Sequence, residues 1–332
     1  MEKLKQDLLE LIDPSANEKL STTKGLAHLG YDDEKDVVLI EILVEQKIEA
    51  TEDLRKEIIK LVKGKHKHKG IKLEINERKI HESIANSGIP CIGIISGKGG
   101  VGKSSVSANI AYRLMKKGIQ TALIDADIYG SSIPELLEME HQNPMMDQNG
   151  KIIPLKKEKL EVISTDFFTQ EHEPVIWRAG MLHKMLEYFF FDTAWNPLTK
   201  VIIIDFPPGT GDVMLDMNNF VKNPKMLLVT TPHPASTNVA IKAGIAANKM
   251  NQELIGVIEN MSYFKDEETN KNHYIFGKDG GLKAAQTLGV ELIAQIPIAV
   301  PKHNHCIFEI TEENGKIYDD IVDYLIYSQN IK

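Results

Sequence analysis

Apolar positions along the chain follow two rhythms, and the change falls near residue 90. Before it, Leu4, Leu8, Leu11 and Ile12 form a helical stripe that stops at Asp13-Pro14. "VVLIEILVEQ" (Val37 to Gln46) reads as a strand, and Thr51 with Glu52 and Asp53 caps a second helix running to about Lys63. "GIKLEIN" (Gly70 to Asn76) reads as a further strand, so residues 1–76 are expected to form a small α+β module. Residues 77–90, polar and ending "SGIP", read as a linker.

From Cys91 to Lys332, short β-branched runs recur: "CIGIIS", "TALIDAD", "LEVIS", "KVIIIDFP", "KMLLVTTP", "ELIGVIEN" and "ELIAQIP". Helical stretches at 106–117, 181–191, 235–250 and 282–288 separate most of them. Runs that are apolar throughout suit strands covered on both faces. Strands alternating with helices predict a doubly wound, mainly parallel α/β sheet, with ligands at the strands' carboxyl ends.

Composition adds exclusions. With 42% hydrophobic and 26% charged residues, the 332-residue chain has the balance of an ordinary globular protein with a sizeable core. A net charge of −8 argues against nucleic acid as the default partner. The two cysteines, Cys91 and Cys306, are far apart, so one chain can build neither a disulfide framework nor a four-cysteine metal site. Cys91 opens an apolar strand and reads as core. No apolar run approaches 18 residues, and Met1 to Lys24 has no signal-peptide core. The expectation is a reduced, cytoplasmic protein with no membrane contact. "KGKHKHKG" (Lys63 to Gly70) could contact an acidic partner or nucleic acid, or capture a metal through His66 and His68. The plainer reading is a solvated turn with lysines near a helix C-terminus.

The strongest chemical signal is "GKGGVGKS", Gly97 to Ser104. It fits G-x-x-x-x-G-K-[ST], follows an expected strand and opens an expected helix. Glycines let backbone N–H groups approach phosphate oxygens at a helix N-terminus. Lys103 then reaches the β/γ phosphates and Ser104 ligates Mg²⁺. Gly97, Gly99 and Gly102 also spell the dinucleotide pattern G-x-G-x-x-G, with Asp125 on the next strand end as a ribose-binding acid. Lys103-Ser104, and Asp205 closing "VIIID" as a Walker B carboxylate, favour the phosphate-loop reading.

Lys98, in "KGGVGKS", resembles the signature lysine of the deviant Walker A motif in the MinD/ParA/nitrogenase-iron-protein class of ATPases. The resemblance implies a homodimer closing around ATP, Lys98 reaching the partner's nucleotide as an arginine finger does. It makes Gly97, Lys98, Gly99, Gly100, Val101, Gly102, Lys103, Ser104 and Ser105 the phosphate-binding set. "DADIYGSS" (Asp125 to Ser132) resembles the same class's switch I, where Asp127 positions the attacking water and Asp125 lies near the Mg²⁺ shell. Asp205 to Asp212 corresponds to switch II, and Asn260 and Pro297 stand where the class contacts adenine. Catalysis would fall to Lys98, Lys103 and Asp127, and metal handling to Ser104, Asp125 and Asp205.

"GKGGVGKSSVSANIA", "DADIYGSSIP", "IDFPPGTGD", "VIENMSYF" and "IFGKDGG" together resemble the Mrp/ApbC family of iron–sulfur cluster carrier ATPases, over about Cys91 to Pro301. The N-terminal module resembles the MIP18-like domain of bacterial members, although residues 1–90 contain no cysteine. The family implies slow Mg-dependent ATP hydrolysis and delivery of iron–sulfur clusters to apoprotein clients. This chain departs from it at "MSYFKDEETNKNHYIFG" (Met261 to Gly277), where carriers place a CPxC-type pair and this sequence has no sulfur beyond Met261. Clusters need soft ligands. "KHNHC" (Lys302 to Cys306) could offer His303, His305 and Cys306 instead, or be a plain loop. "WRAGMLHKML" (Trp177 to Leu186) also departs from the family, keeping Arg178 for the site, the partner subunit or an ion pair. The competing expectation is a metal-free ATP switch that binds a protein or DNA. The acidic start of "IYDDIVDYLIYSQNIK" argues against membrane association through the C-terminus.

Overall fold

The computed structural model describes residues 1–23, 25–32, 36–44, 46–77, 83–128, 130–168, 179–209, 220–221, 223–302 and 306–332, with the backbone alone at 179–182. Its contacts divide the chain into two units, Met1–His81 and Glu82–Lys332.

In the first unit α1 (Glu2–Leu9) buries Leu4 and Leu8. The expected stripe to Ile12 ends early. Asp13 accepts hydrogen bonds from the Ser15 amide (2.9 Å) and hydroxyl (2.6 Å), a turn that competes with the helix, and Ile12 is left 54% exposed. An unforeseen strand, β1 (Leu26–Asp32), pairs antiparallel with β2 (Val37–Val44), which runs parallel to β3 (Gly70–Glu77). In "LAHLGYD" the apolar positions do not alternate, so β1 gave no period-2 signal. β2 does alternate, burying Val38, Ile40, Ile42 and Val44 beneath Leu54 and Ile58 of α2 (Thr51–Lys60). A π-turn over Leu61–Lys65 extends α2. The basic run is tied to this unit's own carboxylates. Lys65 and His66 both reach Asp7 at 2.7 Å, and Lys69 reaches Asp36 at 3.2 Å.

The second unit begins with β4 (Cys91–Ser96), α3 (Lys103–Lys116), β5 (Thr121–Asp125) and a short α4 (Ile133–Leu136). Next come β6 (Leu155–Lys157), β7 (Leu160–Ile163), α5 (Ala179–Phe191) and β8 (Val201–Asp205). The chain continues through β9 (Lys225–Thr230), α6 (Pro234–Lys249), β10 (Glu253–Glu259), α7 (Gly280–Leu288), β11 (Leu292–Gln295) and α8 (Glu313–Ser328). Among the described residues these strands form one sheet in the order β11-β10-β9-β4-β8-β5-β7-β6. All neighbours are parallel except β6 and β7.

Every residue of β4, β5 and β8 is buried, as a sheet covered on both faces requires. One core cluster packs Phe189 of α5, Ala240 of α6 and Ala284 of α7 on one face. The other packs Val106 and Ile110 of α3 with Ile321 and Leu325 of α8. Chain order runs from β4 to β5 across β8, which opens a crevice at the carboxyl ends of these three strands. Among the described residues no helix is long and apolar enough to cross a membrane.

Candidate functional site

Six residues join the end of β4 to the start of α3. Gly100 and Gly102 sit at φ +79° and +82°, where a Cβ is strained, and Gly102 is the N-cap of α3. A Cβ on Gly97 would fall 2.4 Å from backbone atoms of Val239, so this glycine is fixed by close approach to α6. The Ser96 hydroxyl donates to the Lys98 carbonyl at 3.0 Å.

The loop and the first turn of α3 line a cleft of about 480 Å³. Lys98, Gly99, Gly100, Gly102, Lys103, Ser104 and Ser105 border it, with Asp127 facing them. Lys98 is exposed, whereas Lys103 is 5% exposed. Val101 points into the core and Gly97 packs on α6, so these two shape the loop rather than line the cleft.

Behind the cleft the parallel ladder sets Asp205 level with Asp125 at adjacent strand ends. One oxygen of Asp205, Oδ2, accepts from Lys103 Nζ (2.8 Å) and the Ser104 hydroxyl (2.6 Å). The other, Oδ1, accepts from the Ser107 hydroxyl (2.6 Å). Lys103 Nζ also lies 3.4 Å from Asp127 Oδ2. Asp125 accepts from the Asp127 amide (3.2 Å), the Ser164 hydroxyl (2.9 Å) and the Ile133 amide (3.4 Å), which pins the segment after β5. Burial, and then the charge of Asp205, push the Asp125 carboxyl well above the usual range. Burial also raises Asp127, against the pull of Lys103. Ser107 and Ser164 escaped the sequence reading. Ser107 falls four residues after Lys103 and three after Ser104, one helical face, and that spacing was the available signal.

Asn260 and Pro297 lie apart from the phosphate cleft. The Asn260 side-chain amide donates to the Val101 carbonyl at 2.9 Å, and a Cβ on Gly102 would come within 2.2 Å of the same nitrogen. Pro297 accepts from Asn314 Nδ2 at 3.0 Å and borders a second cavity of about 410 Å³ beside Phe264 and Lys265.

The cysteine-free interval forms a hairpin, Phe264–Lys265 pairing with Asn272–His273. Asp266 Oδ1 accepts from the Glu268 and Thr269 amides at 2.9 Å each, and Lys265 pairs with Glu313 at 3.0 Å. These are ordinary turn and surface contacts. Cys91 is buried and Cys306 half-buried. The Cys306 thiol is pushed up by burial and by the charges of Glu135 and Glu138. Trp177, Arg178, His303 and His305, and switch II from residue 210 to 212, lie outside the described residues.

The arrangement suits a triphosphate with a hard divalent cation. The left-handed glycines admit phosphate close to the backbone, and the donors beside it are hydroxyl and carboxylate oxygens, the type Mg²⁺ takes.

The ParA profile, described as NUBPL iron-transfer P-loop NTPase, matches residues 90–318. The iron–sulfur cluster carrier protein of Bacillus subtilis (strain 168) is 42% identical over 235 residues, 69% of this chain and 66% of that protein. That of Aquifex aeolicus (strain VF5) is 39% identical over 208 residues, 62% of this chain and 57% of that protein. The chain thus spans somewhat less than two thirds of the length of these curated relatives. The iron–sulfur cluster transfer protein NUBPL of Dictyostelium discoideum is 32% identical, covering 68% of each. Among solved structures, an Archaeoglobus fulgidus nucleotide-binding protein in complex with ADP superposes with TM-score 0.57 at 27% identity, covering 74% of this chain and 94% of that one. The Pyrococcus furiosus cell division ATPase MinD shares the fold, with TM-score 0.52 at 17% identity and 72% and 99% coverage.

Proposed function

The chain belongs to the ParA family of NUBPL iron-transfer P-loop NTPases, and on that premise we propose that it is a slow, Mg-dependent ATPase. It acts as a nucleotide-gated homodimer in iron–sulfur cluster assembly or transfer to apoprotein clients. Residues 91–332 form the ATPase domain, and residues 1–76 an accessory module joined through residues 77–90. We assign the protein to the cytoplasm.

The observation that carries this reading is the convergence of Lys103, Ser104 and Asp127 with Asp205 beside a left-handed glycine loop. The loop and the N-terminus of α3 bind the phosphates. Lys103 leaves its carboxylates and takes the β/γ oxygens. Ser104, with Asp205 and Asp125 behind it, handles Mg²⁺, which supplies charge neutralisation at the phosphates. Asp127 holds the attacking water in line, and a carboxyl raised by burial is suited to receive its proton. Lys98, exposed at the mouth, reaches the partner's nucleotide and stabilises charge that develops in the transition state. Pro297 serves the adenine end, and Asn260 supports the phosphate loop through the Val101 carbonyl.

The cluster is cargo, and the hairpin at 264–273 has no sulfur ligand for it. That observation favours a second reading, an ATP-driven switch that binds its protein partner without a metal. Anaerobic reconstitution with iron and sulfide separates the two. Direct carriage predicts a visible-absorbing cluster bound to the dimer, and no retained iron overturns it. For the shared ATPase reading, Lys98→Ala should abolish hydrolysis yet still bind nucleotide. Full turnover in that variant would contradict the trans-lysine mechanism.

A further inference from the structure

We propose that Ser107 is a positioning residue for Asp205, and that it matters most once nucleotide has drawn Lys103 away. This rests on the Mg·ATP reading of the cleft. Ser107 is fully buried in the second turn of α3. Its hydroxyl lies 2.6 Å from Asp205 Oδ1 and 3.1 Å from the Lys103 carbonyl. A serine inside a helix commonly bonds back to the carbonyl four residues earlier. One hydroxyl has one proton, and the contact to the carboxylate is the shorter, within the range of charge-assisted O–H···O⁻ bonds.

The two oxygens of Asp205 have different company. Oδ2 takes Lys103 and Ser104, the two groups that phosphate and cation claim on binding. Among the described residues, Ser107 is the one hydrogen-bond donor to Oδ1. In the ligand-free protein three donors hold the carboxylate plane. In the nucleotide-bound protein Lys103 is reassigned to phosphate, while Ser104 ligates the cation through a lone pair and keeps its proton for Oδ2, so among the described residues Ser107 remains the donor that holds Oδ1 and with it the carboxylate plane. Helix α3 thereby offers Lys103 and Ser104 to the ligand and reserves Ser107 for the protein's own carboxylate.

The test uses the full chain and a fluorescent ATP analogue at fixed low concentration, titrated with Mg²⁺ and measured separately in excess EDTA. In the wild type, Mg²⁺ should strengthen binding. Ser107→Ala, favourable in a helix, should raise the Mg²⁺ concentration at half-saturation about tenfold, the scale of one lost hydrogen bond to a charged group. Its EDTA affinity should stay near wild type, whereas its melting temperature should fall, because Asp205 Oδ1 loses its donor in the nucleotide-free protein as well. Ser107→Thr should restore the Mg²⁺ response, and Ser107→Cys, similar in size but a weak donor, should follow the alanine variant. An unchanged Mg²⁺ midpoint in Ser107→Ala, or an equal loss with and without Mg²⁺, overturns the assignment. A wild-type chain whose binding ignores Mg²⁺ overturns the functional reading, and this assignment with it.

Discussion

Asn260 gives the sharpest discrimination between what the family pattern implies and what the geometry displays. In the family pattern it contacts adenine, whereas here its amide donates to the Val101 carbonyl from beneath the phosphate loop at 2.9 Å. Asn260→Ala removes that donor and leaves the carbonyl of a residue 3% exposed without it. An unsatisfied buried acceptor costs about 1–3 kcal/mol. The loop must hold its shape to bind phosphate, so this cost appears as affinity, about 5- to 150-fold. Isothermal titration of ATP, GTP and inorganic tripolyphosphate reads the effect. Loss of loop support weakens all three by a similar factor. If ATP alone weakens and tripolyphosphate does not, Asn260 works on the base and the loop-support argument is wrong. A second variant sharpens the case. Gly102→Ala places a Cβ 2.2 Å from Asn260 Nδ2 at a backbone φ of +82°. Combined with Asn260→Ala, the clash disappears, and what remains is the lost donor to Val101 plus a backbone strain of about 1–2 kcal/mol. The double variant should therefore be less impaired than the two single losses added together.

Gly97→Ala would drive a Cβ to within 2.4 Å of α6 backbone, which no rotamer change relieves, and should cost about 3 kcal/mol. Thermal unfolding should show it as a fall of roughly 6–12 °C, and a fall under about 2 °C would refute the close-approach argument. Asp319 on α8 accepts from Arg113 (2.7 Å) and Lys117 (2.9 Å) of the phosphate-loop helix and its C-cap. Burial works to raise its carboxyl, but these two cations outweigh it and leave it below the usual range. Because the folded value is lowered, the contribution is present above the unfolded pKa near 3.8 and lost as pH falls through the folded value. Asp319→Asn should therefore lower stability by about 1 kcal/mol at pH 7, after screening at this partly exposed site, and by much less near pH 2–3. Denaturant midpoints at the two pH values check this, and an equal loss at both would rule out the ionic origin.

The sheet was legible because its strands are apolar on both faces, so "VIIID" and "CIGII" announce themselves without alternation. The phosphate loop was legible because left-handed backbone and close approach leave few residues besides glycine at Gly97, Gly100 and Gly102. Strand β1 was not, since Leu26 and Leu29 are only half-buried and its polar residues break the period. The π-turn after α2 and the antiparallel edge strand β6 left no pattern either, being set by tertiary contacts. Ser107 looked like any helix serine. Its role depends on Asp205, 98 residues away in sequence, and only the fold brings the two together. Asn260 also holds the Val101 carbonyl of the phosphate loop, a contact between residues 159 apart that no motif announces.

The ion pair between Lys103 and Asp205 has a further consequence for how nucleotide arrives. The Asp205 carboxylate serves as a placeholder for phosphate, presenting the lysine with an anion at 2.8 Å before any ligand is present. Binding is then an exchange of partners, and the measured affinity is the phosphate's advantage over an anion tethered to the same molecule. The pair gives the buried lysine a second counter-charge beside Asp127. It also lends urgency to the cation, because a carboxylate that has just given up its lysine is left charged in the interior until another positive charge comes near. Triphosphate entering alone strands that charge, while triphosphate entering with its metal does not. On the Mg-dependent ATPase reading proposed above, the metal–nucleotide complex should therefore enter in preference to free nucleotide.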